Sequence, residues 1–294
     1  MEIATHTWMR SEPIRRTIER MAKTGIEYVE LAGEPDWYTS AEVAKLLKEY
    51  KRKCWGTVTL SLGERNLCAK DAGQRERTVN FMKGVVTMSK ELGGEVTTIV
   101  PVTVGKLVPE SPMEVEWKWL VEGLKEVYGH AEKEGIKLAI EPLNRFETYL
   151  INRGDQALAL AEQVGPNCGV CLDVFHMNIE ESDLYEPFRN IGSKVYNVHL
   201  ADNNRFAPGM GQLDFHKIVE TVRSIGYTGC LSLEFMPTID RSSVKRWGDQ
   251  VETDVRDVPP ELLQFIIDHG SNLLAEEFYT GMFEQSLKVL KPLL

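Results

Sequence analysis

The chain has 294 residues, 43% of them hydrophobic and 27% charged, with a formal net charge of −10. That composition is globular and able to bury a sizeable core, and its acidic balance opposes a nucleic-acid partner, because phosphate contacts need clustered Lys and Arg. No run of about 18 apolar residues offers a membrane span, and the start lacks the apolar core and small-residue cleavage site of a secretion signal, so a cytoplasmic protein with no membrane partner is expected.

Short apolar runs alternate with longer amphipathic ones. EIATHTW from Glu2 reads as the first strand. A helix follows over EPIRRTIERMAKTG, with Ser11 as its N-cap, Pro13 in its first turn and Gly25 as its stop. IEYVELA from Ile26 is the second strand, and a helix begins near Ser40. CWGTVTLSL from Cys54 is the third, followed by a long helix from about Ala72 to Glu91 that Gly93 and Gly94 break. VTTIVPVTV from Val96 is rich in β-branched residues, as a strand covered on both faces should be. A helix with Trp117, Leu120, Leu124 and Val127 on one face runs to Glu134. GIKLAIEP is the fifth strand, and the helix from Gly154 carries the apolar stripe Ala157, Leu160, Ala161 and Val164. CGVCLDV, KVYNVHLAD and TGCLSLEF are strands six to eight, with the helix FHKIVETVRSIGY between the last two. The tail from Pro259 to Leu294 reads as largely helical.

Strands that each precede a helix predict a parallel sheet, and eight such units in a chain of this length predict its closed form. The fold class expected is α/β: a single (β/α)8 TIM barrel over 1–294 with an extra C-terminal helical segment. The charged, non-periodic stretch from Asp240 to Pro260 reads as a lid or a packing arm. The five cysteines are odd in number and scattered, which suggests reduced thiols. Cys168 and Cys171 have CxxC spacing but sit on a predicted strand with no second pair, so packing explains them.

Barrel chemistry sits at the carboxyl ends of strands. Strand five ends at Glu141, six at Asp173, seven at His199 and eight at Glu234. One such residue alone would be an ordinary polar rim group. Four at the same level on successive strands point to a divalent cation. Three carboxylates and one imidazole form a mostly hard donor set, which favours Mn2+, Mg2+ or Co2+ over a closed structural zinc. His6 and Trp8 at the end of strand one, and Glu30 at the end of strand two, are candidates for the pocket wall or for a rim or core role without substrate contact. His130, His216 and His269 lie on predicted helices and read as solvated.

LNRFETYLIN, LDVFHMNIEE and the H-x5-R-x2-PGxG of HLADNNRFAPGMG resemble the ketose 3-epimerases, the D-tagatose and D-psicose 3-epimerase family of the xylose isomerase-like barrels. The resemblance is strongest from about Gly135 to Pro237. It implies that Glu141, Asp173, His199 and Glu234 bind one divalent ion, Mn2+ first and Mg2+ or Co2+ as alternatives. It implies that Glu147, His176 and Arg205 hold the substrate oxygens around C1 and C2. The enzyme it implies is an isomerase that inverts C3 of a free ketose through a metal-stabilised cis-enediolate, with Glu141 and Glu234 as the acid/base pair on opposite faces. A homodimer or homotetramer is the family's usual assembly. After His199, where the epimerases usually show a Gly-Glu or similar pair, this chain has Ala201 and Asp202.

Competing roles stay open for some of these residues. Arg205 could pair only with Asp202, His176 could merely support a helix start, and the PGMG glycines could form a tight turn or a phosphate cradle. A second reaction uses the same metal: related barrels include C-glycoside deglycosidases and inosose dehydratases, lyases acting beside a carbonyl, here on a 3-keto sugar. Endonuclease IV shares the barrel, but its three-zinc site needs histidines at strands three and four, and CWGTVTLSL and VTTIVPVTV have none. A non-catalytic scaffold is disfavoured because all seven family positions are intact.

Overall fold

Eight parallel strands close on themselves in chain order: β1 (Glu2–His6), β2 (Tyr28–Ala32), β3 (Lys53–Thr59), β4 (Val96–Ile99), β5 (Lys137–Ile140), β6 (Cys168–Asp173), β7 (Val195–Leu200) and β8 (Cys230–Leu233). This computed structural model describes residues 1–240, 242–244, 260–269 and 273–294. The helices between the strands are α1 (Ile14–Thr24), α2 (Ser40–Glu49), α3 (Ala72–Glu91), α4 (Met113–Glu134), α5 (Gly154–Val164), α6 (Val174–Glu180), α7 (Glu186–Ile191) and α8 (Phe215–Ser224), and α9 (Pro260–His269) and α10 (Glu276–Leu290) follow β8. None of the helices among the described residues is long and apolar enough to cross a membrane. Most of the stretch expected to form a lid or packing arm, residues 241 and 245–259, lies outside the described residues.

Local chemistry sets the helix ends. Thr39 and Glu42 form a reciprocal capping box at the start of α2, and the Asp71 carboxylate accepts from the Gln74 amide to open α3. The expected cap on α1 is corrected. The helix starts after Pro13, which is its N-cap without any side-chain bond, and Ser11 is too far back to reach the first turn. The Ser11 hydroxyl is buried and has no hydrogen-bond partner among the described residues. Strands β3 and β4 are shorter than the apolar runs suggested. Residues 60–62 and 100–104 leave the ladder, because Ser61 Oγ donates to the Val100 carbonyl at 2.5 Å and the Val104 amide donates to the Ser61 carbonyl at 2.8 Å. Leu60, Ser61, Leu62, Val100 and Val104 wall the pocket instead.

Period-two alternation fills the barrel interior in layers. Ala4, Trp55, Val96, Ala139, Cys171 and Cys230 pack together at the amino-terminal end. Two residues further along their strands come buried His6, Thr98, Glu141, Asp173 and Ser232, joined by Glu30 and by Asn197 and His199 of β7. A bulge between β2 and β3 at Val29/Glu30 shifts the register there. Gly56 stands opposite Glu30 at this shift, and on its other side a Cβ would collide with the Val96 carbonyl of β4. The outer faces of the strands pack on helix stripes: Ala157, Leu160, Ala161 and Val164 of α5 are all buried, as are Leu120, Leu124 and Val127 of α4. All five cysteines are buried free thiols. α10 covers the barrel near α1, where Phe235, Tyr279 and Phe283 meet edge to face and the Arg20 guanidinium lies 4.7 Å from the Tyr279 ring centre.

Candidate active site

The carboxyl ends of β5 to β8 carry the charged groups, and those of β1, β3 and β4 carry apolar ones. Between them lies a cavity of about 270 Å³, with Glu141, Glu147, His176, Arg205 and Glu234 on one side and Trp8, Val58, Leu60, Val100, Val104 and Met236 on the other. Asp173 and His199 lie just beneath its floor, fully buried. All seven candidate residues therefore meet at one place. Trp8 walls the cavity, whereas His6 is buried below it with its ring 4.5 Å from that of His199, edge to face. A larger hollow of about 360 Å³ opens at the amino-terminal end of the barrel among Tyr28, Trp55, Tyr196 and Tyr227, but it holds none of these candidates. The chemistry of the lining, not the volume, picks out the site.

The His199 imidazole is the hub. Its Nδ1 lies 2.9 Å from Glu141 Oε1 and 2.8 Å from Glu234 Oε2. Of the two contacts, only that to Glu141 has hydrogen-bond geometry. The ligand atoms of Glu141, Asp173 and His176 lie within 4.8 Å of one another, and those of His6, His199 and Glu234 form a second such group. Glu141, Cys171 and His199 form a third group that links the two. Among the described residues, Asp173 Oδ2 and Glu234 Oε2 are buried acceptors with no hydrogen-bond donor. Such oxygens are costly to bury unless a cation or donor meets them. Two such oxygens beside one imidazole are what a divalent ion would neutralise.

Crowding shows in the proton affinities. Burial pushes the Glu141 carboxyl up to about 7; the Glu234 charge adds to this and the His199 imidazole opposes it. Burial, with the Glu234 charge, holds Asp173 well above the usual carboxylate range. Burial would also raise Glu234, but the imidazoles of His199 and His6 outweigh it and hold that carboxyl low. Burial disfavours charge on His199, yet Cys171 and the carboxylates of Glu141, Glu30 and Glu234 hold it well above the usual histidine value. Neighbouring carboxylates with proton affinities driven apart are the arrangement acid/base chemistry requires.

The remaining candidates surround the mouth. Arg205 Nη1 donates to Glu147 Oε1 at 2.9 Å, and its guanidinium lies 4.5 Å from the Phe175 ring centre. Arg205 is not the side-chain partner of Asp202. The Asp202 carboxylate is committed to the backbone N–H groups of Asn203, Gly209, Gly211, Gln212 and Leu213, at 2.8–3.0 Å. The PGMG glycines are thus a turn wrapped round the chain's own anion, not a phosphate cradle. Arg205 itself has φ +60°, a left-handed conformation uncommon for a bulky residue and a mark of imposed strain. His176 Nδ1 accepts from Asn144 Nδ2 at 2.8 Å, so Nε2 carries the proton, 3.5 Å from Asp173 Oδ2. Burial and the nearby Arg205 charge keep this imidazole neutral. Of the helical histidines, His216 is exposed, His130 is half-buried and bonded to Thr87 Oγ1 at 2.8 Å, and the His269 side chain lies outside what is described.

The family model described as Xylose isomerase-like TIM barrel matches residues 18–255. The D-psicose 3-epimerase of Ruminiclostridium cellulolyticum is 32% identical over 248 residues, 79% of this chain and 82% of the relative. This chain belongs to the ketose 3-epimerase family of xylose isomerase-like barrels. Membership makes it an isomerase-type enzyme. The D-psicose 3-epimerase of Agrobacterium fabrum is 31% identical over 258 residues, 83% of this chain and 87% of the relative. The fold matches that of a D-allulose 3-epimerase from Methylomonas sp., solved in complex with D-allulose, with a TM-score of 0.81 at 23% identity over 100% of this chain and 97% of that one.

This epimerase-family site also uses residues that strand-end reasoning did not assign. Asn144 fixes the His176 tautomer and donates to Glu147 Oε1 at 2.9 Å. It lies inside the LNRFET string, so its neighbours could have marked it. Thr98, Asn197 and Ser232 surround Glu30 under the cluster. Their signal is alternation: Asn197 and Ser232 each stand two residues before a candidate ligand, on the same inward face. Of the two roles open for Glu30, a pocket wall or a core position, it takes the second: it is fully buried below the pocket.

Proposed function

We propose that residues 1–294 work as one catalytic domain that inverts C3 of a free ketose, with Glu141 and Glu234 as the acid/base pair. The observation that carries this reading is the pairing of two buried carboxylates on either side of His199 Nδ1, one with a raised and one with a depressed proton affinity. Inversion needs one group to remove a proton from carbon and another to return it on the opposite face, and residues from β5 and β8 approach the cavity from different directions. Glu141, Asp173, His199 and Glu234 would hold the divalent ion, Mn2+ first and Mg2+ or Co2+ as alternatives. When bound, the ion would withdraw electron density from the substrate oxygens and so acidify the C–H beside the carbonyl.

The chain's own groups do the rest. The neutral His176 offers its Nε2–H, the Arg205 guanidinium its unpaired donors, and the Glu147 carboxylate an acceptor. Together they can orient the oxygens around C1 and C2. Trp8, Leu60, Val100 and Met236 give the far end of the substrate an apolar wall that excludes water. A cavity of about 270 Å³ suits a monosaccharide better than a larger glycoside. The named activities of the D-psicose and L-ribulose 3-epimerase relatives support the substrate class. Self-association into a homodimer or homotetramer is the assembly that the family resemblance implies.

The deciding experiment incubates the protein with Mn2+ and a panel of free ketohexoses, ketopentoses and 3-keto glycosides, and identifies products by NMR. A C3 epimer of a free ketose, lost after chelation and restored by Mn2+, is expected. An unsaturated sugar or a released aglycone would replace this reading with the lyase on a 3-keto sugar.

A further inference from the structure

Directly below the cluster, a chain of donors fixes how His199 can present itself. The Trp55 Nε1–H donates to Asn197 Oδ1 at 3.0 Å, and the Val198 amide donates to the same oxygen at 3.0 Å. An indole nitrogen and a backbone amide can only donate, so the Asn197 carboxamide has one orientation, with its NH2 toward Glu30. One of its hydrogens faces the Glu30 carboxylate, whose Oε1 and Oε2 lie 2.8 and 2.9 Å from Nδ2, and the other meets Thr98 Oγ1 at 2.9 Å. Thr98 Oγ1 donates to Oε1 at 2.9 Å and Ser232 Oγ to Oε2 at 2.6 Å. The closest remaining polar neighbour of this carboxylate is His199 Nε2, 3.2 Å from Oε1. Asn197 Nδ2 is 3.1 Å from the same imidazole nitrogen, but its two hydrogens have shorter bonds, one to Glu30 and one to Thr98 Oγ1. A carboxylate whose other partners are all donors accepts from Nε2 as well.

We infer that Glu30, oriented by Asn197, is a positioning residue that holds His199 as the Nε2–H tautomer, leaving Nδ1 as its only ligand atom toward Glu141 and Glu234. This rests on the cation reading of the site. The bond to Glu30 does two things. It selects Nδ1 by occupying Nε2, and it makes Nδ1 a stronger donor to a metal. Glu30 touches neither the cavity nor the four proposed ligands other than His199, so its effect on a cation passes through that ring.

The test has two arms. With the diamagnetic Mg2+ bound, 15N NMR of histidine-labelled wild type should show His199 protonated at Nε2 and bare at Nδ1. The opposite tautomer would overturn the inference without any variant. In the second arm, Glu30→Gln puts an amide NH2 against donors, and its Mn2+ affinity, measured by calorimetry, should fall roughly 10- to 100-fold. Glu30→Asp, which keeps the charge but draws it back, should recover part of that loss. Mn2+ affinity unchanged in Glu30→Gln would overturn the inference, while a wild type that binds no Mn2+ would take down the cation reading beneath it.

Discussion

The Asp202→Asn substitution isolates the device that holds Arg205. Oδ1 of Asp202 accepts from the amides of Asn203, Gln212 and Leu213, and Oδ2 accepts from those of Gly209 and Gly211 at 2.9 and 2.8 Å. An asparagine keeps one oxygen. Its NH2 must then face at least two backbone donors. Hydrogen bonds to a charged group contribute about 1.5–3 kcal/mol each, so the upper bound on the loss is about 6 kcal/mol. Gly209 and Gly211 are exposed, and water can take over their N–H groups, which lowers the expectation to about 2–3 kcal/mol. In a protein of this size that is a drop of roughly 3–5 °C in melting temperature. Function should suffer beyond stability. The Arg205 amide donates to the Asp202 carbonyl at 2.8 Å, and the Arg205 carbonyl accepts from Met236 at 2.7 Å, so the strained arginine is clamped by this turn. A displaced guanidinium should lower kcat/KM about 10- to 100-fold at temperatures where the variant is folded. Thermal melts by circular dichroism and saturation kinetics read both effects. Unchanged melting together with unchanged kcat/KM would refute the argument.

Glu141→Gln and Glu234→Gln should each cost at least ~10²- to 10⁴-fold in kcat, the usual worth of a positioned acid or base; substantial turnover in both variants sinks the two-glutamate assignment. Mn2+ must displace the proton that burial keeps on Glu141, whose affinity sits at about 7, and the protons held high on Asp173 and His199, so binding should tighten as pH rises through 7 and go on tightening above it. Chelator competition between pH 5.5 and 8 tests this (roughly 1.5 units below to 1 above that value), and a flat profile contradicts it. Arg205→Lys gives up the planar contact with Phe175 and the fixed fork toward Glu147, and should raise KM about tenfold with little change in melting temperature. An unaltered KM would mean that Arg205 does not grip the substrate.

How much was legible before folding depended on the range of the signal. Strand and helix order follows from short-range periodicity, so α3 and α5 begin and end where Ala72, Glu91 and Gly154 indicated. Residues at strand ends were readable because closure of a parallel barrel brings all its carboxyl ends to one rim. Ser11 misled because a Ser-x-Pro start resembles a cap, while the proline ring itself sets the first turn. The shortening of β3 and β4 arises from Ser61 and Val100 bonding across neighbouring loops, a contact with no sequence-local trace.

The sequence by itself determined the barrel, its direction and the seven residues that meet at its mouth, because alternation, spacing and the quoted strings are local properties of the chain. Only the tertiary structure decided which partner each charge takes. Arg205 goes to Glu147 and not Asp202, the glycine turn closes on an internal carboxylate, and Glu30 lies under His199 rather than beside the pocket. Those choices are made between residues as far apart as β2 and β7, where distance in space, set by closure and burial, bears no relation to distance along the chain.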